Sequence, residues 1–357
     1  MSRLLVPKTL VERAIGLAVL VVVALGPVLF TDYWVDTVMT QTFIFGIAAA
    51  SLVFLFAYGG MISLAQTALM GICAYLLGNM VTQSGPGGET KGLTLGWDPT
   101  LALVLAIVGT TLIGLVFGAV ASRSVGIYFL MLTLTYGVIA NYFFGQVTQF
   151  GGFSPIAGIN QYTPGFVGEI VGRPHKLYYI AFGTALVVYV LMRYLARTPF
   201  GLSLQGVRDD PVRMSSLGYN VPLHRTLAFT FAAFVASLSG VLLAWWDGQI
   251  APGNIGLGAT IELLVIAVIG GLARVEGAWL GAFAFIVINN YVRDVELPVV
   301  GGSFNTIIGL IFLAIVIVSP DGLMGLWDRA WRVLGGRGGP TPDTVSVTEP
   351  APGASAP

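Results

Sequence analysis

Ten long apolar runs constrain this chain more than any other feature of its sequence. A helix that crosses about 30 Å of hydrocarbon needs roughly 20 predominantly apolar residues. Hydrophobic residues make up 56% of the chain, charged residues only 10%, and the mean hydropathy is +0.85, which soluble domains do not reach. The sequence therefore predicts an all-α fold, a polytopic transmembrane helical bundle of about ten spans. The predicted spans are 13–30, 38–57, 64–83, 101–121, 126–145, 177–196, 226–246, 259–274, 278–293 and 303–319.

Two of these runs, 259–274 and 278–293, are short for complete spans. One of them could be re-entrant, or the two could form a broken hairpin. The first run has no small-residue cleavage site and is followed by Asp32 and Trp34, so we expect it to be retained in the membrane.

The basic residues predict the orientation of the bundle, because cytoplasmic loops are enriched in Lys and Arg. A cytoplasmic N-terminus leaves only Lys91, Arg173, Lys176 and Arg293 of the seventeen basic residues outside. Both termini are then cytoplasmic in a multi-pass membrane protein. The predicted parts are a cytoplasmic N-terminus at 1–12, a transmembrane domain at 13–334, outer loops at 84–100 and 146–176, and a disordered cytoplasmic tail at 335–357.

Ten spans divide into two sets of five, and an odd number per half places the halves in opposite orientations. That arithmetic is compatible with an inverted 5+5 repeat. The segments GGMISLAQTALMGICAYLLG and GGLARVEGAWLGAFAFIVIN both place glycines where helices would approach closely, although chance could produce this match in a chain with 47 glycines.

A polar segment at 193–225 separates two of the apolar runs and contains a predicted short helix at 211–217. Asp209 or Asp210 can cap its start, Pro211 suits its first position, and Gly218 can adopt the left-handed conformation that ends it. A helix this short is marginal alone in water, so we expect a partner protein to brace it. This segment is the predicted cytoplasmic coupling loop.

Catalytic, nucleotide and metal sites are not predicted. None of the three lysines follows a glycine-rich turn as a phosphate-binding loop requires. His175 and His224 fall on opposite sides of the membrane in this topology, and Cys73 is the only cysteine. The chain is therefore predicted not to be an enzyme, to need no cofactor and to bind no nucleic acid, which leaves transport.

Polar residues within the apolar runs are the candidates for a solute pathway. Charged residues stand near the predicted span ends, and Glu262 is the one that could face a polar pathway. For the others, hydrogen bonding between helices is the alternative role. The candidates are Ser63, Gln66, Asn79, Asn141, Glu262, Asn289 and Asn290, of which we select Ser63, Gln66, Asn141, Glu262 and Asn289.

Several segments in the same order resemble one family of permeases. The segment GLSLQGVRDDPVRMSSLGYNVPLHRTLAF resembles the cytoplasmic loop of branched-chain amino acid ABC transporter permeases, specifically the LivM-like subunit. The resemblance extends over most of 38–326. It is also carried by YGGMISLAQTALMGICAYLLG, GIYFLMLTLTYGVI, FGGFSPIAGIN, IELLVIAVIGGLARVEGAWLGAF and IGLIFLAIVIVSPDGLMGL.

The resemblance implies an importer subunit of the bacterial inner (plasma) membrane, with 13–334 as its transmembrane permease domain. This subunit would form a heterodimer with a LivH-like permease. Two cytoplasmic ATP-binding subunits would drive the pair, and an extracytoplasmic substrate-binding protein would deliver the solute. Membrane lipid and the solute itself complete the expected partners.

The implied coupling residues are Arg208, Asp209, Asp210, Leu217 and Gly218, and we add Pro211 and Arg213. The family commonly has a Glu and small Ala residues after the Arg-Asp pair, whereas this chain has Pro211, Arg213 and Met214, which suggests a partner surface specific to this chain.

A branched-chain amino acid is the solute that the resemblance implies. Composition and spacing do not distinguish it from urea or a short amide. An ion-coupled secondary transporter is the other reading, and it requires a titratable group in the middle of the membrane.

Overall fold

The computed structural model describes residues 21–83 and 92–292, together with 309, 313 and 322–325. The part that it describes is a helical bundle with one two-stranded sheet. The helices are α1 (Gly26–Leu29), α2 (Gln41–Gly59), α3 (Gln66–Val81), α4 (Pro99–Ala121), α5 (Ile127–Gln146), α6 (Pro174–Arg197), α7 (Pro199–Asp209), α8 (Pro211–Ser216), α9 (Val221–Asp247), α10 (Leu257–Gly270) and α11 (Val275–Val292). A π-helical turn, Trp34–Thr40, leads directly into α2.

The polytopic helical fold that the sequence predicts is confirmed. Five stretches of the described chain are long and apolar enough to cross a membrane, at Trp34–Gly59, Pro99–Ala121, Ile127–Gln146, His175–Arg197 and Val221–Asp247. The pair α10 and α11 adds a sixth if it counts as one span, and α3 is a shorter apolar helix. The total of ten spans and the 5+5 repeat stay predictions. The N-terminus at 1–12, the first part of the run 13–30 (residues 13–20), nearly all of 303–319 and the tail at 335–357 lie outside the described residues.

Small residues allow the helices at the centre of the bundle to pack closely. The stretches that contain α2 and α9 have 72% of their apolar windows buried, against 22% for α4. α9 packs against α4, α3 and α2. A Cβ atom at Gly118 of α4 would lie 3.0 Å from Phe229 Cβ of α9, so the two backbones meet at near-minimal separation. Such small-residue contacts drive helix association in a membrane, where burial of apolar surface supplies little.

The bundle has two distinct ends. At one end, Thr226 at the start of α9 donates a 3.4 Å hydrogen bond to the Gly118 carbonyl near the end of α4. α7 and α8 connect α6 to α9 at this end, which we call the coupling end. At the opposite end, the Trp246 indole of α9 donates to the Asp36 carbonyl over 3.2 Å. The stretch that contains α2 and the helix α4 therefore both run from the opposite end to the coupling end, whereas α9 runs in the reverse direction.

A small two-stranded sheet and the loops beside it, which we call the clasp, cover part of the opposite end. Strands β1 (Ile156–Ala157) and β2 (Gln249–Ile250) pair antiparallel, with Ile156 opposite Ile250. Added Cβ atoms at Gly71 and Gly78 of α3 would collide with the side chains of Ile255 and Ile159, so isoleucines of the clasp loops fill notches in α3. Asp98 caps α4 nearby and accepts from Thr100 N over 2.8 Å, which holds the pKa of this carboxyl below its usual value.

The helices α10 and α11 are bent by 116° at the four residues between them. Gly271 has φ +105°, a left-handed conformation that glycine adopts without a steric cost. This is the region where the sequence allows a re-entrant segment or a broken hairpin, and the bend is compatible with both.

Candidate functional site

The polar segment at the coupling end contains two helices rather than the single one that the sequence predicts. α7 starts at Thr198, whose Oγ1 accepts from Gly201 N over 3.3 Å, and it buries Leu204 and Val207 on one face. α8 then folds back on α7, where Met214 packs against Gly206. The predicted helix at 211–217 therefore packs on the preceding helix, α7, which is itself half-buried.

The predicted capping of the short helix is confirmed in its main features. Asp210 Oδ1 accepts from Arg213 N over 2.9 Å, and Pro211 occupies the first helical position. Gly218 has φ +90°, and Tyr219 N donates to the Met214 carbonyl over 3.1 Å, which closes the end of the helix. Asp210 is thus the cap, and Asp209 instead forms an ion pair of 2.8 Å with Arg208.

Arg208 connects this segment to the core of the bundle. Its guanidinium donates to the Ala57 carbonyl near the end of α2, and its stem packs beside Gly60. A charged donor on a partly buried carbonyl is among the stronger hydrogen bonds in proteins. Displacement of α7 and α8 would therefore pull on α2 as well as on α6 and α9.

Two large apolar side chains, one in α8 and one directly after it, are exposed in this otherwise polar segment. Val212 is 75% exposed and Leu217 is 65% exposed, while Arg213 is exposed beside them. Exposed apolar side chains with a polar rim mark surfaces that contact another protein. We call the exposed part of 208–218 the coupling knob.

Two of the predicted pathway residues, Ser63 and Gln66, lie together in a buried polar cluster. Gln66 Nε2 donates to Ser63 Oγ over 3.4 Å, and Ser51 Oγ of α2 donates to Gln66 Oε1 over 3.1 Å. Thr133 of α5 accepts from Leu64 N over 3.1 Å. The cluster thus joins α2, α3 and α5, and we call it the polar cluster.

The polar cluster lies well inside the bundle because α3 starts late. The chain leaves α2 at Gly59 and runs without helical structure to Ala65. Within this stretch Leu64 N donates to Thr133 of α5, and at the first residue of α3 Gln66 accepts from Ser51 of α2. Ser51 is eight residues before the end of α2, a depth of about 12 Å. Ala65 supplies no side-chain cap to α3, and Thr67 Oγ1 is buried without a partner in the described chain. A helix start of this kind favours negative charge.

The other predicted pathway residues are not part of the polar cluster. Asn141 of α5 donates to the Pro252 carbonyl over 2.8 Å and so holds a clasp loop at the opposite end. Glu262 is exposed on α10, and Asn289 is half-buried near the end of α11. Asn79 donates to the Tyr75 carbonyl and accepts from Leu93 N, which fits a structural role, whereas Asn290 Nδ2 is buried without a partner among the described residues.

An ionic contact that the sequence analysis did not identify joins α6 to α11 at the coupling end. Arg193 Nη1 lies 3.2 Å from Glu276 Oε1, and the Tyr189 hydroxyl donates to the same oxygen over 3.0 Å. Glu276 is one of the charged residues that stand near a predicted span end in the sequence. Because its partners are more than 80 residues away in the chain, spacing carries no signal for this contact. In the described ranges, no group of three or more His, Cys, Asp or Glu side chains could hold a metal ion.

Comparison with known proteins identifies the family. Residues 34–319 match the family described as branched-chain amino acid transport system / permease component. The chain is 29% identical to the branched-chain amino acid permease BraD of Pseudomonas aeruginosa, over 40% of this chain and 45% of BraD. It is 25% identical to a probable LivH permease of Methanocaldococcus jannaschii, over 77% of this chain and 82% of the relative.

Other relatives have a different stated role. The autoinducer 2 import permease LsrC of Escherichia coli is 25% identical over 81% of both chains. The chain thus spans less than half the length of BraD but most of LivH and LsrC. No solved structure matches it with significance. Because the family match includes every helix from α2 to α11, the chain belongs to the family of branched-chain amino acid transport system permease components.

Proposed function

We propose that this chain is the permease subunit of an ATP-driven importer for branched-chain amino acids. Its partners would be a LivH-like permease, two cytoplasmic ATP-binding subunits and an extracytoplasmic substrate-binding protein. The coupling knob carries this proposal, since it is a capped, exposed and partly apolar helix fixed to three helices of the bundle. The family membership of residues 34–319 supports it independently.

The coupling residues transmit movement in this proposal. Arg208 and Asp209 fix α7 to α2, Asp210 and Pro211 form the start of α8, and Gly218 ends it. Arg213 and Leu217 are exposed and would contact an ATP-binding subunit. Closure of the ATP-binding subunits would displace α8, and α6 and α9, which flank α7 and α8, would tilt to exchange access between the two sides. In this proposal ATP binds to the ATP-binding subunits and not to this chain.

The polar cluster is the proposed point of contact with the solute. An amino acid is a zwitterion, and its carboxylate is complementary to the uncapped start of α3 beside Ser63 and Gln66. Asn141, Glu262 and Asn289 would line other parts of the pathway. The cluster is closed in this structure, because Ser51, Ser63 and Gln66 are fully buried, so the solute would enter only after the helices move.

Autoinducer 2 is the second candidate cargo, because the LsrC relatives match over a comparable share of the chain. Urea and short amides remain alternatives from the sequence. An ion-coupled mechanism has less support, since the ionisable residues of the described spans stand near helix ends, as Glu276 does at the start of α11.

Reconstitution tests the proposal directly. The chain would be placed in vesicles with its proposed partner permease, ATP-binding subunits and substrate-binding protein. We expect uptake of leucine, isoleucine or valine that requires ATP and the binding protein. A binding screen of that binding protein against amino acids, urea, amides and autoinducer 2 would assign the cargo. Uptake that continues without ATP while an ion gradient is maintained would refute an ATP-driven importer.

Thr133→Val should weaken transport because it removes the acceptor of the half-buried Leu64 N–H while conserving shape. An unsatisfied buried donor costs about 1–3 kcal/mol, so we expect uptake to fall about tenfold at equal protein levels. Thr135→Val is the matched control, since Thr135 is exposed two residues further along α5 and bonds only within its own helix. Equal uptake by the two variants would show that the polar cluster does not contribute to transport.

A further inference from the structure

A cavity of about 390 Å³ opens where α6 meets α7 at the coupling end. We call it the elbow pocket. Thr198 alone separates the two helices, so the chain turns sharply beside the cavity. The pocket is lined by Tyr58, Arg193, Ala196, Arg197, Leu202 and Gln205.

The elbow pocket is positively charged. Arg193 and Arg197 are four residues apart on α6 and therefore lie on one face of the helix. Both guanidinium groups act electrostatically on the Tyr58 hydroxyl at the end of α2. Glu276 pairs with Arg193, whereas Arg197 has no ion pair or hydrogen bond within the described part of the chain. One full positive charge is therefore left uncompensated in a cavity that also offers a phenol hydroxyl.

Hydrogen bonds and burial fix one wall of the pocket. Gln205 Nε2 donates to the Ala196 and Gly201 carbonyls, each over 3.1 Å, and so holds the first turns of α7 against the end of α6. Ala196 is 8% exposed and closes the inner wall.

Apolar surface flanks the charged groups. Tyr194 is 69% exposed on α6, and Leu202 is 61% exposed on α7. Since α6 is a candidate span that ends at Arg197, the pocket lies where a membrane-crossing helix leaves the hydrocarbon. Arginines at this depth place their stems along apolar surface and their charges among headgroups. Basic pockets between helices at the membrane boundary bind anionic lipid headgroups.

We infer that the elbow pocket binds the phosphate of an anionic phospholipid, with Arg197 and Arg193 facing the phosphate and Leu202 and Tyr194 along the acyl chains. The bound lipid would brace the turn from which the coupling knob extends. This inference does not depend on the proposed cargo or on ATP-driven transport, because lipid binding is measured on the isolated full chain. A soluble phosphate compound has the same anionic group but has no acyl chains to contact the exposed apolar side chains beside the pocket.

The test compares lipid binding by purified full-length variants. Each protein would be mixed with vesicles of phosphatidylglycerol and phosphatidylcholine, or of phosphatidylcholine alone, and retained lipid would be counted by native mass spectrometry after detergent extraction. We expect wild type to retain phosphatidylglycerol selectively and Arg197→Gln to bind it about fivefold more weakly. Arg197→Lys, which preserves the charge, should retain most of the binding.

Arg123→Gln is the matched control, because Arg123 is an exposed arginine of the α4–α5 turn at the same end of the bundle and lies outside the pocket. It should bind phosphatidylglycerol like wild type. Equal retention by Arg197→Gln, Arg123→Gln and wild type would overturn the inference. Displacement of the lipid by glycerol phosphate at comparable concentration would also overturn it, since the occupant would then be a soluble anion.

Discussion

Replacing Gly281 with valine is expected to prevent the accumulation of folded protein. Gly281 lies on α11 where its backbone contacts α10, and an added Cβ would stand 2.6 Å from Gly270 N and 2.9 Å from Gly270 Cα, with the Ile266 carbonyl closer still. These neighbours are backbone atoms, so no rotamer change relieves the clash. Overpacking of this kind costs about 3 kcal/mol, a large fraction of a typical stability of about 5–15 kcal/mol. We expect monodisperse yield in detergent to fall at least about tenfold and the melting temperature to drop.

Gly183→Val provides the comparison for that result. Gly183 is in the middle of α6, and no atom lies within 4 Å of a Cβ added there. Both variants carry the same change in helix propensity and in side-chain volume, so they differ only in packing. A Gly281→Val protein that is as stable as Gly183→Val would show that α10 and α11 do not pack as the 116° bend requires.

The apolar runs predict most of the described helices because a membrane imposes one simple rule on them. The runs at 101–121, 126–145 and 226–246 correspond to α4 (Pro99–Ala121), α5 (Ile127–Gln146) and α9 (Val221–Asp247). Hydrocarbon requires every backbone group to bond internally, so a long apolar run becomes a helix regardless of its local propensities. Each of these three helices is the same length as its run or longer, because α4 and α9 begin with proline turns outside the apolar core.

Hydropathy predicts the helices less well where they are not complete apolar spans. The run at 64–83 contains α3, but hydropathy does not show that α3 starts inside the bundle after an extended stretch. α7 was not predicted either, because its polar and apolar residues alternate over a helix of only eleven residues. A short amphipathic helix depends on the surface against which it packs, and that surface is remote in the sequence.

The candidate sites also differ in how far the local sequence predicts them. Asp210, Pro211 and Gly218 were identifiable because capping is a local property of the chain. Ser51 and Thr133, which complete the polar cluster, are ordinary polar residues within apolar runs until the fold places them beside Ser63 and Gln66. Contacts between residues that are distant in the sequence therefore determine which polar candidates lie together. The spacing of residues along the chain cannot predict such contacts.

Gly218→Val is expected to separate ATP hydrolysis from uptake in the assembled transporter. The residue has φ +90°, a conformation that costs a β-branched residue about 1–3 kcal/mol. No atom lies within 4 Å of an added Cβ, so the penalty comes from the backbone alone and acts on the end of α8. The helix would unwind or reorient, and Leu217 would leave its position on the coupling knob. Uptake should fall about tenfold while hydrolysis by the ATP-binding subunits continues.

Gly218→Asn distinguishes this explanation from a general loss of surface complementarity. Asparagine adopts left-handed conformations more readily than other residues with a side chain, so this variant should retain most of the uptake although its side chain is about as large as that of valine. The two variants should insert equally well, since Gly218 is exposed and far from the core. If both lose uptake to the same extent, the partner contacts the surface at Gly218 itself, and the backbone conformation is not what couples the ATP-binding subunits to the helices.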